Sequence, residues 1–217
     1  GPSGWLPLLA SPADSSPPNH MGPRTELEDM AAEMTAWRRD LHQHPELGYE
    51  ETRTSEAVAK RLESWGLEVH RGLGKTGVVG VLRGALGDGP ALGLRADMDA
   101  LPMEEESGAE HRSSTPGVFH GCGHDGHTTM LLGAAKHLAS TRGFAGTVHF
   151  IFQPAEEGLA GARAMMEDGL FERFPCDEVY GMHNWPQLGF GQMAVGSGPM
   201  MAASDLIKIE IEGVGAH

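Results

Sequence analysis

Two early segments of the chain carry hydrophobic residues at the spacing of an amphipathic helix. The first begins near Thr25, where Glu28 completes the spacing of a capping box, and extends to about His42. The second covers about residues 54–65. The hydrophobic positions of the first segment are Leu27, Met30, Met34, Trp37 and Leu41. This pattern predicts two helices that each bury one face.

Short β-rich runs follow, and helical segments alternate with them. The runs at 78–82, 91–95, 147–152 and 177–181 are typical of strands bounded by turn residues, and helices are predicted at 127–140 and 161–168. Strands that alternate with helices favour an α/β fold with a layered sheet.

The two ends of the chain differ from this central part in composition and residue pattern. Residues 1–24 are rich in proline and serine and can bury little surface, which predicts a disordered tail. Residues 206–211 alternate between apolar and polar side chains, as a half-buried strand does, and a glycine-rich stretch over 213–217 follows.

The acidic composition narrows the classes of partner. The chain has 16 Lys and Arg against 30 Asp and Glu, a net charge of -14, which repels nucleic acid and anionic membranes. No apolar run approaches the roughly 20 residues that span a bilayer, and Cys122 and Cys176 are too few for a disulfide framework. We expect a cytoplasmic protein that acts on a small molecule or peptide and binds neither nucleic acid nor membrane.

Acidic and imidazole side chains follow three of the predicted strands. Asp97 and Asp99 follow one, the pair Glu156 and Glu157 follows the next, and His183 follows the last. Because ligands bind outside the carboxyl ends of strands in open α/β sheets, we expect these groups at one edge. Each also has a plainer interpretation: aspartates favour turns, a glutamate pair can cap a helix, and a lone histidine is ordinarily structural.

The loop at 121–127 reads Gly-Cys-Gly-His-Asp-Gly-His. Its glycines let the backbone approach an ion closely, and the side chains of Cys122 and His124 suit a borderline-soft divalent metal. The alternative is a glycine-rich turn around a buried cysteine. The carboxylates and His183 nearby favour a metal site, in which one glutamate of the pair could bind metal while the other accepts a proton from water.

Six ordered motifs extend from about residue 30 to the end of the sequence, at 38–47, 95–102, 121–127, 153–158, 181–184 and 213–217. Together they resemble the metallopeptidase family M20, specifically its amidohydrolase branch of hippurate hydrolases, N-acyl-amino-acid amidohydrolases and auxin-conjugate hydrolases. The resemblance implies a three-layer, aminopeptidase-like mixed sheet flanked by helices. It also implies hydrolysis of the amide bond of N-acyl amino acids with two divalent metal ions, chosen from Zn, Mn, Co and Ni.

The resemblance also assigns roles to individual residues. Glu156 looks like the general base, and Asp99 sits where family members have an aspartate that orients the site. Asp97 stands where other M20 branches have a histidine ligand, so it is either a ligand or an outer-shell residue. His217 matches a histidine that stabilises the oxyanion across a dimer. The implied metal ligands are Cys122, His124, Glu157 and His183.

Family members are considerably longer than this chain, and their smaller dimerisation domain is inserted into the catalytic domain. The implied organisation is a tail over 1–24, an incomplete catalytic domain over 25–200, and the first strand of the inserted α+β lid domain within 201–217. The expected assembly is a homodimer or homo-oligomer. Two other functions stay open, a dipeptidase or carboxypeptidase of the same family and a catalytically inactive metal-binding fragment.

Overall fold

The computed structural model describes residues 27–201, 205 and 207–215. The predicted tail over 1–24, the predicted cap at Thr25 and His217, for which an oxyanion role is expected, therefore lie outside the described residues. No helix in the described part of the chain is long and apolar enough to cross a membrane.

Helices and strands alternate in the described chain, as the hydrophobic pattern predicts. In chain order the elements are α1 (Ala31–Gln43), α2 (Thr52–Ser64), β1 (Glu68–Leu73), β2 (Gly77–Arg83), β3 (Ala91–Asp97), α3 (His124–Thr141), β4 (Thr147–Gln153), α4 (Gly161–Glu167), α5 (Leu170–Arg173) and β5 (Glu178–Gly181). Every strand predicted between residues 78 and 181 is present.

The sheet is mixed, with the strand order β1-β2-β4-β3-β5. Strands β1, β2 and β4 pair antiparallel, whereas β3 pairs parallel with both β4 and β5. The carboxyl ends of β4, β3 and β5 therefore lie side by side at one edge.

Side chains on both faces of the central strands are buried, which explains their continuous apolar sequences. One face packs on helices α2 and α3 through residues that include Leu62, Leu132 and Phe150. On the other face, Ile151 of β4 belongs to a smaller cluster with Met165 of α4 and Leu170 of α5. Helices on both faces of one sheet make the three layers that the family resemblance implies.

The described residues from Trp185 onward belong to a second unit. The predicted strand over 206–211 is wrong for the described residues of that range, which have no strand conformation. Ile207, Ile209 and Ile211 are 79%, 77% and 89% exposed. A strand is held by hydrogen bonds to a neighbouring strand, and no described residue supplies that partner.

Candidate metal centre

The edge at which β4, β3 and β5 end gathers the candidate ligands. Asp97 is the last residue of β3, the glutamate pair follows the end of β4, and His183 follows the end of β5. Helix α3 begins at His124, within the glycine-rich stretch at 121–127 and three residues before its predicted start. The parallel pairing of these strands therefore brings together groups that are distant in sequence, as the strand-end prediction requires.

Three overlapping groups of side chains at this edge could hold a metal ion. Within each group the ligand atoms lie within 4.8 Å of one another. His124 belongs to all three groups and is therefore the centre of the site. The groups are Cys122 with His124 and His183, His124 with Glu156 and Glu157, and Asp97 with His124 and His127.

The imidazole of His124 has the contacts expected of a metal ligand. Its Nδ1 is 3.2 Å from Oδ1 of Asp99, which fixes the ring as an outer-shell carboxylate does in metal sites. Its Nε2 is buried and has no hydrogen-bond partner among the described residues. That nitrogen lies 3.7 Å from Glu157 Oε1 and 3.8 Å from Glu156 Oε2. A buried nitrogen that faces carboxylates at these distances fits a divalent cation between them.

The thiol and the second imidazole complete one side of the site. Cys122 Sγ lies 3.4 Å from His183 Nε2. The other ring nitrogen of His183, Nδ1, is 2.7 Å from the carbonyl oxygen of Asn184, so it is the protonated one and Nε2 is directed at the site. Thiolate and neutral imidazole are ligands that zinc and its neighbours prefer, so the donor set fits a divalent transition metal.

The carboxylates at this edge shift the ionisation of their neighbours. Burial, together with the charges of Glu157 and Glu156, raises the pKa of Cys122 to about 12. Burial and the charge of Glu157 also raise the pKa of Glu156. For His124, burial lowers the pKa, but the hydrogen bond to Asp99 and the nearby negative charges outweigh it and the pKa is raised. A bound cation would reverse this balance, because its charge favours the thiolate and the neutral imidazole.

Asp99 ties two parts of the site together. Its Oδ1 contacts His124, and its Oδ2 accepts a hydrogen bond from the backbone N–H of Glu157 at 2.9 Å. Burial raises the pKa of Asp99, but the hydrogen bonds from His124 and from the backbone outweigh it, and the pKa is lowered. Asp99 therefore links the ring of His124 to the backbone of the glutamate pair.

Both carboxylate oxygens of Asp97 are already held by protein groups. Oδ1 lies 2.7 Å from His127 Nδ1, and Oδ2 accepts a hydrogen bond from Arg95 at 2.8 Å. Burial raises the pKa of Asp97, but the hydrogen bond from His127 and the charge of Arg95 lower it to about 2. Of the two roles expected for Asp97, this geometry favours the outer-shell role.

The sequence comparison places this arrangement in a known group of enzymes. Residues 93–216 match the model of peptidase family M20/M25/M40. The chain belongs to this family. It is 50% identical over 192 residues to a hippurate hydrolase of Campylobacter jejuni, with 88% of this chain and 50% of that protein covered. It is 41% identical over 211 residues to an N-acetyl-L-cysteine deacetylase of Bacillus subtilis, with 97% of this chain and 48% of that protein covered.

A solved structure supports the same family assignment. The Bacillus subtilis YXEP protein, described as a dinuclear metal binding peptidase of the M20 family, superimposes with a TM-score of 0.70 at 40% identity. The match covers 74% of this chain and 45% of that chain. The M20 chain thus spans about half the length of the curated relatives it matches.

His127 is a site residue of the M20 chain that the sequence reasoning did not single out. Besides Asp97, its ring contacts Asn184, whose backbone N–H lies 2.9 Å from Nε2. Its position three residues after His124 was an available signal, because residues at that spacing share one face of a helix. His42, in contrast, lies outside this cluster, where it is buried and hydrogen-bonded to Asp125 and Glu105.

Gly123 sets how closely the metal loop of the M20 chain approaches the end of β5. Its φ angle is +90°, and a Cβ atom there would lie 2.4 Å from the side-chain oxygen of Asn184. Gly123→Ala should therefore lower the free energy of unfolding by about 1–3 kcal/mol, the usual range for strained backbone, measured by urea denaturation. Gly126→Ala is the matched control, because its Cβ would meet no other described residue within 4 Å, the backbone of its own helix aside.

Gly126 lies in α3, where alanine is favoured over glycine by about 0.5–1 kcal/mol. That variant should be slightly more stable than the wild type. Equal effects of the two substitutions would contradict the importance of the Gly123 conformation.

Proposed function

We propose that the site belongs to a metal-dependent amidohydrolase that cleaves the amide bond of N-acyl amino acids. The observation that carries the proposal is the buried Nε2 of His124, which has no hydrogen-bond partner among the described residues and faces the carboxylates of Glu156 and Glu157 beside the thiol of Cys122. The names of two relatives, a hippurate hydrolase and an N-acetyl-L-cysteine deacetylase, support the substrate class, since both substrates are amides on the nitrogen of an amino acid.

Four side chains would hold two divalent ions, chosen from Zn, Mn, Co and Ni: Cys122, His124, Glu157 and His183. When bound, such ions polarise the amide carbonyl and lower the pKa of a water molecule toward about 7. Asp99 would keep His124 in the orientation that presents Nε2 to a metal. Asp97, through His127, would hold the start of α3 against the end of β5.

Glu156 is the residue proposed to move the proton. Its side chain is 42% exposed, so a substrate at this edge can reach it, whereas that of Glu157 is 28% exposed. Glu156 accepts a proton from the attacking water and returns it to the leaving nitrogen as the C–N bond breaks. The products are a carboxylic acid and a free amino acid. The raised pKa of Glu156 favours proton uptake at this step.

Hydrolysis assays with defined amides test the proposal. The chain, and the longest protein that contains it, would be incubated with hippurate, N-acetyl-L-cysteine and simple dipeptides, before and after chelation and metal return. We expect release of glycine or cysteine from the acylated substrates, loss on chelation, and recovery with a divalent transition metal. Preferential cleavage of dipeptides would instead indicate a dipeptidase or carboxypeptidase. Metal binding without turnover in either protein would indicate a binding fragment.

A further inference from the structure

Glu51 is a fully buried carboxylate that lies outside the metal cluster. Its exposed fraction is 0%, and burial raises its pKa. The Thr76 hydroxyl donates a hydrogen bond to Oε2 at 2.5 Å, and the backbone N–H of Ala155 donates to Oε1 at 2.7 Å. Burying a carboxylate is unfavourable unless hydrogen bonds replace its contacts with water. The hydrogen bonds from Thr76 and Ala155 do so for Glu51.

Helix capping does not explain the burial of Glu51. Glu51 immediately precedes α2, but its side chain makes no capping hydrogen bond to that helix. Glu46 occupies this role, because its Oε1 accepts from the N–H of Arg53 at 2.9 Å and its Oε2 from the N–H of Thr54 at 2.8 Å. The Glu51 carboxylate is therefore directed at the segment after β4 and not at its own helix.

Ala155 stands directly before the glutamate pair and has an unusual backbone conformation. Its φ angle is +50°, a region that residues other than glycine rarely occupy. Its carbonyl oxygen accepts a hydrogen bond from Gly161 N–H at 3.0 Å. Such strained conformations persist only where surrounding contacts hold them, and they concentrate at functional sites.

Two buried carboxylates therefore hold this segment at alternate amides. Glu51 accepts from the N–H of Ala155, and Asp99 accepts from the N–H of Glu157. Glu156 lies between Ala155 and Glu157, so the backbone N–H groups of both its neighbours are hydrogen-bonded.

We propose that Glu51 is a positioning residue: by holding the Ala155 amide, it sets the orientation of Glu156 and Glu157 relative to His124. The catalytic consequence rests on the proposed amidohydrolase function, whereas the backbone contact does not. Glu51 acts through the loop and need not touch the substrate.

Three substitutions separate this positioning from general stability. Glu51→Leu removes both hydrogen bonds while keeping a side chain of similar size. Glu51→Gln keeps an oxygen for Ala155 and can donate its amide N–H to the Thr76 hydroxyl oxygen. Thr76→Val is the matched control, because it removes a buried hydrogen bond of Glu51 without removing the contact to Ala155.

Hydrogen exchange gives a readout that does not depend on metal or activity. In Glu51→Leu the Ala155 amide should exchange about tenfold faster than in wild type, while the Phe150 amide in β4 keeps its protection. Co²⁺ affinity and kcat should each fall by about 10–100-fold, the usual effect of losing an outer-shell contact, with KM changed little. Glu51→Gln and Thr76→Val should stay within about threefold of wild type in all of these measurements.

Unchanged Ala155 exchange and Co²⁺ affinity in folded Glu51→Leu would overturn the proposal, as would equal damage in Glu51→Gln. If Glu51→Leu yields no folded protein, Glu51→Asp decides, since its shorter side chain keeps the charge but withdraws the oxygens from Ala155. That variant should show the faster Ala155 exchange, and wild-type exchange would overturn the proposal. If wild type cleaves no acylated amino acid, the proposed function fails, while exchange and Co²⁺ binding still decide the role of Glu51.

Discussion

Glu156→Gln is expected to lower kcat for N-acyl amino acid hydrolysis by about 10²–10⁴-fold, the usual contribution of a general base, without lowering the metal content. Glutamine has nearly the same size and shape as glutamate but cannot accept a proton at neutral pH. The proposed ligand set does not include Glu156, so the ions should remain bound. Steady-state kinetics and metal analysis of the same preparation would test both parts.

Glu157→Gln is the matched control, because it makes the same chemical change at the adjacent residue. The N–H of Glu157 is held by Asp99, and its side chain is less exposed than that of Glu156. This variant should lose metal as well as activity. A near-normal rate in Glu156→Gln would remove Glu156 from the role of base, and metal loss in that variant would make it a ligand.

Cys122→Ala is expected to lower the affinity for divalent transition metal by more than about 100-fold, since losing a ligand exceeds the 10–100-fold effect of an outer-shell loss. The remaining nitrogen and carboxylate ligands would leave the site more open to hard cations. Equilibrium dialysis followed by elemental analysis measures the bound metal directly.

Cys176→Ala is the control, because it removes a partly buried thiol that is not among the proposed metal ligands. Cys176 is also partly buried, and its thiol contacts the carbonyl oxygen of Phe174 at 3.4 Å, in the segment between α5 and β5. Its removal should leave the metal content unchanged. Undiminished metal in Cys122→Ala would remove Cys122 from the ligand set.

The central sheet could be predicted from sequence because burial on both faces leaves a strong local signal. Strand β1 was missed because it is an edge strand with an exposed face, and its polar residues, such as Glu68 and Arg71, break the apolar pattern. The four-residue helix α5 is too short for a helical period to appear. The strand expected over 206–211 was predicted wrongly because the alternation of apolar and polar residues is a local feature, whereas a strand also needs a neighbouring strand to pair with.

Some residues of the candidate site could likewise be predicted from the sequence, and others could not. Cys122 and His124 lie in one short glycine-rich stretch that leads into α3, and the other candidates lie at or just after strand ends, so local patterns and one rule about parallel sheets were sufficient to group them. Glu51 and Ala155 are 104 residues apart, and nothing in either local sequence indicates their contact. A hydrogen bond between a side chain and a distant backbone amide depends on how helix and sheet pack, which periodicity does not report.

The crowding of four carboxylates at one sheet edge, those of Asp97, Asp99, Glu156 and Glu157, has a consequence for the order in which the site is assembled. An N-acyl amino acid carries its own negative charge, and the chain as a whole has a net charge of -14. Before any cation binds, this edge repels such a substrate and attracts divalent ions. Under the proposed function, metal would therefore enter first, and an anionic substrate would bind only after the charge of this edge has been neutralised.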